Sequence, residues 1–279
     1  MKTAITKFNQ YLLARYPGRS TAKHYMSDLA IFSTFVGEQP LEAISANTID
    51  EFVQSQNEQG LKATTINRRL AAISSFFDYL IGEAEEENRQ NPVSWQRHSV
   101  RQGHRLPRDV NDDTVVRLFA VIDDSRDYAM FTLMVSAGLR VGEVVTLQLE
   151  NIQESANSTL TRLHVCGKGD KERIVWLTLE TMTRITYWLA ERPTSQHANL
   201  FLNQHGRPLS VSGVQYRLNH YCKQAGLQLT CHQLRHTFAR RLAEHKMPIE
   251  SLAKLLGHRS IQTTQLYIDG ADPTVRHDF

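Results

Sequence analysis

Two short β-prone runs limit the folds open to this chain more than any other feature. They read "TLTRLHVCG" (159–167) and "RIVWLT" (173–178), and "GKGDK" (167–171) lies between them. Gly167 and Gly169 permit the positive φ of a tight hairpin turn, so the runs predict a small antiparallel sheet whose turn presents Lys168. Elsewhere the apolar residues recur at helical spacing. Tyr25, Leu29, Phe32 and Phe35 or Val36 mark one amphipathic helix. Ile66, Leu70, Ile73, Phe77 and Leu80 mark another, with Thr64 as its cap and Gly82 as its stop. Further helices are predicted near 112–123, 126–137, 180–191, 210–225, 231–245 and 248–256. The chain therefore reads as mainly α, with a helical N-terminal part followed by an α-rich part that carries the small antiparallel sheet.

A length of 279 residues is comfortable for two hydrophobic cores. The boundary is visible in the charge pattern. The acidic stretch "EAEEENRQNP" closes the first region, and between Glu87 and Asp109 no acidic residue occurs, while Arg89, Arg97, Arg101, Arg105 and Arg108 do. This places an N-terminal helical domain at 1–96, a basic linker at 97–106 and a second domain at 107–279. A solvated connector would look like this, as would a segment lying along a polyanion. Lys62, Arg68 and Arg69 sit near the start of a helix and read equally as a DNA-facing set or a solvated face. The net charge of +3 is too mild to name a partner by itself. The first residues, "MKTAITKFNQYLLARYPG", lack a signal-peptide core, and no apolar run is long enough to cross a bilayer, so a cytoplasmic protein with no membrane partner is expected. Cys166, Cys222 and Cys231 form no C-x-x-C pair and are expected to be reduced thiols.

The stretch "TCHQLRHTFARRL" (230–242) poses a choice between metal and phosphate. His232 and His236 have the spacing of a helical zinc protease, but that chemistry needs a glutamate beside the first histidine to activate the metal-bound water. Gln233 stands there and cannot act as a base, so no metal site is expected. The phosphate reading uses more residues. His232 and Arg235 share one helix face, where a guanidinium fork can hold two phosphate oxygens. "SAGLRVGEVVTL" places Arg140 at the head of a helix in an apolar context, where it needs an anionic partner. "LLGHRSIQTTQLYI" adds His258 and, nine residues on, Tyr267.

Taken in order, "GLRVGE", "HQLRH", "LGH" and "TTQLY" resemble the motifs of the tyrosine site-specific recombinases, closest to phage integrases and the Xer chromosome-dimer resolvases. The resemblance implies a SAM-like helical core-binding domain and a catalytic domain that close on DNA as a C-shaped clamp. It implies that Tyr267 attacks a DNA phosphodiester to give a 3′-phosphotyrosyl bond and a free 5′-hydroxyl. By the same resemblance Arg140 and Arg235 clamp the non-bridging oxygens, and Lys168 protonates the leaving oxygen. His232 is proton acceptor or hydrogen-bond donor, His258 bonds the same phosphate, and Glu143 orients the site from behind. Lys62, Arg68, Arg69, Arg97, Arg101 and Arg105 would contact DNA. No cofactor is implied: the phosphotyrosyl ester conserves the broken bond without ATP, and arginines replace a two-metal clamp. The implied partner is double-stranded DNA with inverted-repeat core sites, bound by a homotetramer or together with a second recombinase, the free protein being a monomer. The implied role is integration, excision or resolution. A type IB topoisomerase shares the tyrosine, arginine and lysine chemistry, and a non-catalytic DNA-binding module is the remaining alternative.

Overall fold

The computed structural model describes residues 1–16, 20–83, 90–101, 110–153, 160–167 and 172–257. It falls into two compact units, residues 1–104 and 105–279. The first holds α1 (Lys2–Arg15), α2 (Ser20–Val36), α3 (Ala46–Glu58), α4 (Ala63–Glu83) and the short α5 (Trp95–His98). Its core is aromatic: Phe8, Phe32, Phe52, Phe76 and Phe77 are all fully buried. They meet edge to face, with ring centroids 5.6 Å apart for Phe8–Phe76 and 5.2 Å for Phe32–Phe52, a geometry favoured by the aromatic quadrupole. The α4 spacing predicted from sequence is realised in Ile66, Leu70, Ile73 and Phe77, all fully buried. The helix starts at Ala63, so Thr64 lies inside its first turn, and it passes Gly82, because glycine weakens a helix without having to end it.

Part of the stretch read as linker belongs to this first unit. The Val100 backbone exchanges two hydrogen bonds of 2.9 Å with the Asn67 amide on α4. Buried His98 approaches the Ala46 carbonyl at 3.1 Å.

The second unit contains α6 (Asp112–Phe119), α7 (Ser125–Ser136), α8 (Val141–Thr146), β1 (Ile152–Gln153), β2 (Thr161–Cys166), β3 (Glu172–Leu177), α9 (Leu179–Glu191), α10 (Val211–Ala225), α11 (Cys231–Glu244) and α12 (Ile249–Leu256). From Ala129 to Val135 every residue of α7 is buried, as expected of a helix apolar on all sides with neighbours all round. It packs against α9 and α11. Buried Asp127 on α7 accepts from Arg126 Nε at 2.9 Å, from the Tyr221 hydroxyl at 3.1 Å and from Arg217, which ties α7 to α10.

The sheet is antiparallel in the order β1-β2-β3, with Leu163 opposite Val175 and Val165 opposite Arg173. Alternation sets its faces. Leu163, Val165, Val175 and Leu177 are buried, while Ile174 and Trp176 are exposed, with the Arg162 guanidinium 5.1 Å from the Trp176 ring. Period two puts Arg173 on the buried side, with Val175 and Leu177.

Candidate active site

The site is built where the α7–α8 link, the start of α11 and the end of α12 converge. Gly138 opens it with φ +64°, and a Cβ there would lie 2.3 Å from Phe238 Cδ1, so the backbone conformation and the packing both require glycine. Two residues on, Arg140 caps α8. Its backbone N–H donates to Glu143 Oε2 at 2.7 Å, its Nη1 to Glu143 Oε1 at 2.9 Å, and its Nη2 to the Gly257 carbonyl at 3.1 Å. The anionic partner that an arginine in this setting requires is thus supplied one helical turn away.

Glu143 is 5% exposed and draws in a third segment. Arg173, on β3, grips it with both terminal nitrogens, Nη1 to Oε1 at 2.7 Å and Nη2 to Oε2 at 2.8 Å. Arg235 Nη1 lies 3.8 Å from Oε2. Burial alone would raise the Glu143 pKa. The hydrogen bonds and charge of Arg173, with those of Arg140, outweigh that and hold the carboxyl below the usual range. Three guanidinium groups around one carboxylate leave a local excess of positive charge, the electrostatic condition for binding an anion.

Arg235 departs from its expected open fork. It is 1% exposed, with Nη1 on the Gly138 carbonyl at 2.6 Å and Nη2 on the Leu256 carbonyl. A guanidinium this deeply buried must place its donors on acceptors, and the last carbonyls of α12, which have no partner within their own helix, provide one. His232, second residue of α11, meets His236 edge to face with centroids 4.1 Å apart. Burial, then the charges of Arg235 and Arg140, push its pKa down, so the imidazole is neutral at neutral pH. Gln233 has a structural use: its Oε1 accepts from the Thr230 backbone N–H at 3.0 Å while Thr230 Oγ1 accepts from its N–H, a capping box that starts α11.

Arg140, Gly142, Cys166, Gly167, His232 and Arg235 line one cleft. Lys168, His258, Tyr267 and Arg105 lie outside the described residues. Their neighbours inform on the site all the same: Gly167 lines the cleft, and Gly257, which ends α12 with φ +60°, gives its carbonyl to Arg140. The free thiol of Cys231, also on the cleft wall, is pushed up to about 11 by burial and is unreactive at neutral pH. Sequence reasoning missed Arg173. Its signal is the register: the alternation Arg173, Val175, Leu177 puts an arginine on the buried face of a strand, where it needs a buried acceptor such as a carboxylate.

The basic residues expected at DNA divide. Lys62, Arg68, Arg97 and Arg101 are exposed, and Arg68 and Arg97 also pair within their own unit. Arg68 pairs with Asp28, and Arg69, 13% exposed, is taken up by Gln56 with Asp28 3.9 Å away. Arg97 is held by Asp50 and, at 2.8 Å, by Asn47. Arg69 and Arg97 thus bind their own unit.

A cleft that presents the Arg140 guanidinium and a neutral imidazole above the buried Arg235 suits a phosphate ester, and comparison with known proteins makes the class specific. Residues 108–273 match the Phage integrase family, and residues 5–84 match the phage integrase N-terminal SAM-like domain. The tyrosine recombinase XerC of Alcanivorax borkumensis is 34% identical over 259 residues, covering 88% of this chain and 82% of that relative. The tyrosine recombinase XerD of Listeria monocytogenes is 31% identical, covering 96% and 94%. Among solved structures, the XerH site-specific recombinase bound to palindromic difH substrate superposes with a TM-score of 0.80 at 22% identity, covering 94% of this chain and 80% of that one. A lambda integrase dimer bound to a COC′ core site gives 0.78 at 20% identity, covering 100% and 97%. The chain belongs to the phage integrase family. It is a tyrosine site-specific recombinase of Xer type, an enzyme that cleaves and rejoins DNA. Among the described residues no helix is long and apolar enough to cross a membrane.

Proposed function

We propose that Tyr267 cleaves one strand of a double-stranded core site by attack of its phenol oxygen on the scissile phosphorus. The Tyr267 O–P bond forms as the P–O5′ bond breaks, leaving a 3′-phosphotyrosyl ester and a 5′-hydroxyl. The phenol proton passes to His232, whose depressed pKa keeps a lone pair available at neutral pH. Lys168 returns a proton to the departing O5′. Arg140 reaches the non-bridging oxygens from the open side of the cleft, Arg235 adds charge from its floor, and His258 bonds the same phosphate. Loss of one such donor costs on the order of 10²- to 10³-fold in rate. Rejoining is the reverse reaction with a 5′-hydroxyl from the partner strand. One observation carries the reading: Arg140, Arg235 and a neutral His232 line a single cleft, and the residues preceding Lys168 and His258 reach it.

Exchange between two duplexes needs four strand breaks, hence four active sites, and a homotetramer on inverted repeats in the cytoplasm supplies them. The DNA-bound XerH and lambda integrase structures support duplex DNA as the partner. Of the cations expected at DNA, Lys62 and Arg101 are exposed and would meet it.

The test is a nicked duplex carrying a core site that the protein itself selects from a random pool. Wild type and Tyr267→Phe are incubated with it in EDTA and run on a denaturing gel. A covalent protein–DNA band in wild type alone is expected. An adduct in Tyr267→Phe, or none in wild type, overturns the assignment.

A further inference from the structure

We infer that Arg173 is a positioning residue for the proton donor: it braces β3, the strand that follows Lys168 in the chain, against the Glu143 carboxylate that holds Arg140. The inference deepens the reading above and rests on it. Three observations meet at this side chain. Arg173 is the second residue of β3, paired with Val165, so it stands two positions from the turn that contains Lys168. Both its terminal nitrogens bond Glu143, at 2.7 and 2.8 Å, and Glu143 also holds the backbone N–H and guanidinium of Arg140. Its Nη1 and Cδ run beside Gly257, at the end of α12 and one residue before His258: a Cβ built there would lie 3.5 and 3.7 Å from them. One side chain thereby joins β3, on which it sits, to Glu143 on α8 and runs beside the end of α12.

The geometry of the contact matters as much as its charge. A bidentate arginine–carboxylate pair fixes both distance and orientation, so β3 cannot slide or rotate against α8 without breaking two charge-assisted hydrogen bonds. Arg173 is only 11% exposed, so water offers little substitute for those bonds. Lysine would keep the charge but lose the fork. If Arg173 served only to neutralise Glu143, its loss would disturb Arg140 and the phosphate clamp; if it braces the hairpin, its loss disturbs delivery of the proton to O5′. These outcomes separate chemically. A substrate with sulfur in place of the bridging 5′-oxygen releases a thiolate, which needs no proton, so it bypasses a misplaced acid and leaves a damaged clamp as slow as before.

The experiment measures single-turnover cleavage of the oxygen and 5′-bridging sulfur esters by wild type, Arg173→Ala, Arg173→Lys and Lys168→Ala, after circular dichroism and DNA binding establish which variants are folded. Arg173→Ala is expected to cleave the oxygen ester at least about tenfold more slowly than wild type, in line with a displaced general acid, and the sulfur ester within about threefold of wild type, as Lys168→Ala does. Arg173→Lys, which keeps the charge, is expected to show the same rescue and replaces the alanine variant if that one does not fold. Equal slowing on both esters, or no slowing on oxygen, overturns the bracing role. If Lys168→Ala itself is not rescued by sulfur, the assignment of Lys168 fails and this inference with it; rescue of Lys168→Ala without rescue of the Arg173 variants defeats this inference alone.

Discussion

Replacing Glu143 by glutamine removes one charge and leaves the shape of the site, so its cost measures what the buried carboxylate does. Glu143 accepts four hydrogen bonds, from the Arg140 backbone N–H at 2.7 Å, Arg140 Nη1 at 2.9 Å, and Arg173 Nη1 and Nη2 at 2.7 and 2.8 Å. An amide oxygen in the place of Oε1 keeps two of these bonds. The amide nitrogen in the place of Oε2 then faces two donors, the Arg140 N–H and Arg173 Nη2, with nothing to offer them. Two lost charge-assisted bonds at about 1.5–3 kcal/mol each give about 3–6 kcal/mol. The Arg140 side chain, 36% exposed, keeps its bond to the amide oxygen, so the loss falls on the Arg140 backbone N–H and on Arg173, which is only 11% exposed. Breaking one side of a buried ion pair gives about 3–5 kcal/mol independently. At a urea dependence of about 2 kcal/mol per molar, the unfolding midpoint of the second unit falls by about 2 M. Emission from Trp188, buried in that unit with Nε1 donating to the Leu200 carbonyl at 2.8 Å, follows the transition. The pH dependence has a fixed sign. The folded pKa of Glu143 lies below its ordinary 4.5, so its stabilisation is complete above about 4.5 and drains as pH falls through the lower folded value. The gap between wild type and Glu143→Gln should therefore close on acidification. A loss under about 1 kcal/mol at pH 7, below the cost of a single charge-assisted bond, or a gap that widens in acid, would refute the reasoning.

Gly138→Ala should destabilise the second unit by about 2–4 kcal/mol in the same denaturation assay, from a positive φ and a Cβ driven into the Phe238 ring. Trimming Phe238 to leucine in the same chain should recover only the steric part, and full recovery would show that the backbone carries no strain. The acid limb of the cleavage rate should have its midpoint below 6.5, because His232 stays neutral to lower pH than an ordinary histidine and loses its proton-accepting lone pair only below that; a midpoint at or above 6.5 would remove His232 from that role. In DNA titrations Lys62→Ala should reduce the salt dependence of binding by about one unit of slope, whereas Arg69→Ala should lower the stability of the first unit by about 1–3 kcal/mol, since it removes a donor from Gln56 and a cation from buried Asp28. The opposite pattern would mean that Arg69 faces DNA.

Much of the site was legible because its signals are local. Helix spacing located α4, α7 and α11, and the two β-prone runs located the hairpin, since periodicity reflects which face each element must bury. The glycines before Arg140 and His258 were visible in the motifs, and the structure gives both a positive φ. Very short elements were not legible: β1 is two residues long and exists only because β2 lies beside it. Nor was the allocation of the basic residues. Lys62, Arg68, Arg69 and Arg97 carry the same charge in the sequence, and what separates them is whether Asp28, Gln56 or Asp50 lies within reach across the fold.

The sequence by itself determined the helical units, the hairpin and the family, and it named the candidates for phosphodiester chemistry, because side-chain type and spacing are properties of the chain. Only the tertiary structure decided that one carboxylate, Glu143, joins Arg140 to Arg173 across thirty positions, that Arg235 rests on backbone carbonyls, and that His232 is neutral. Hydrogen bonds, burial and charge–charge coupling act through distance in space, and the folded chain alone sets those distances.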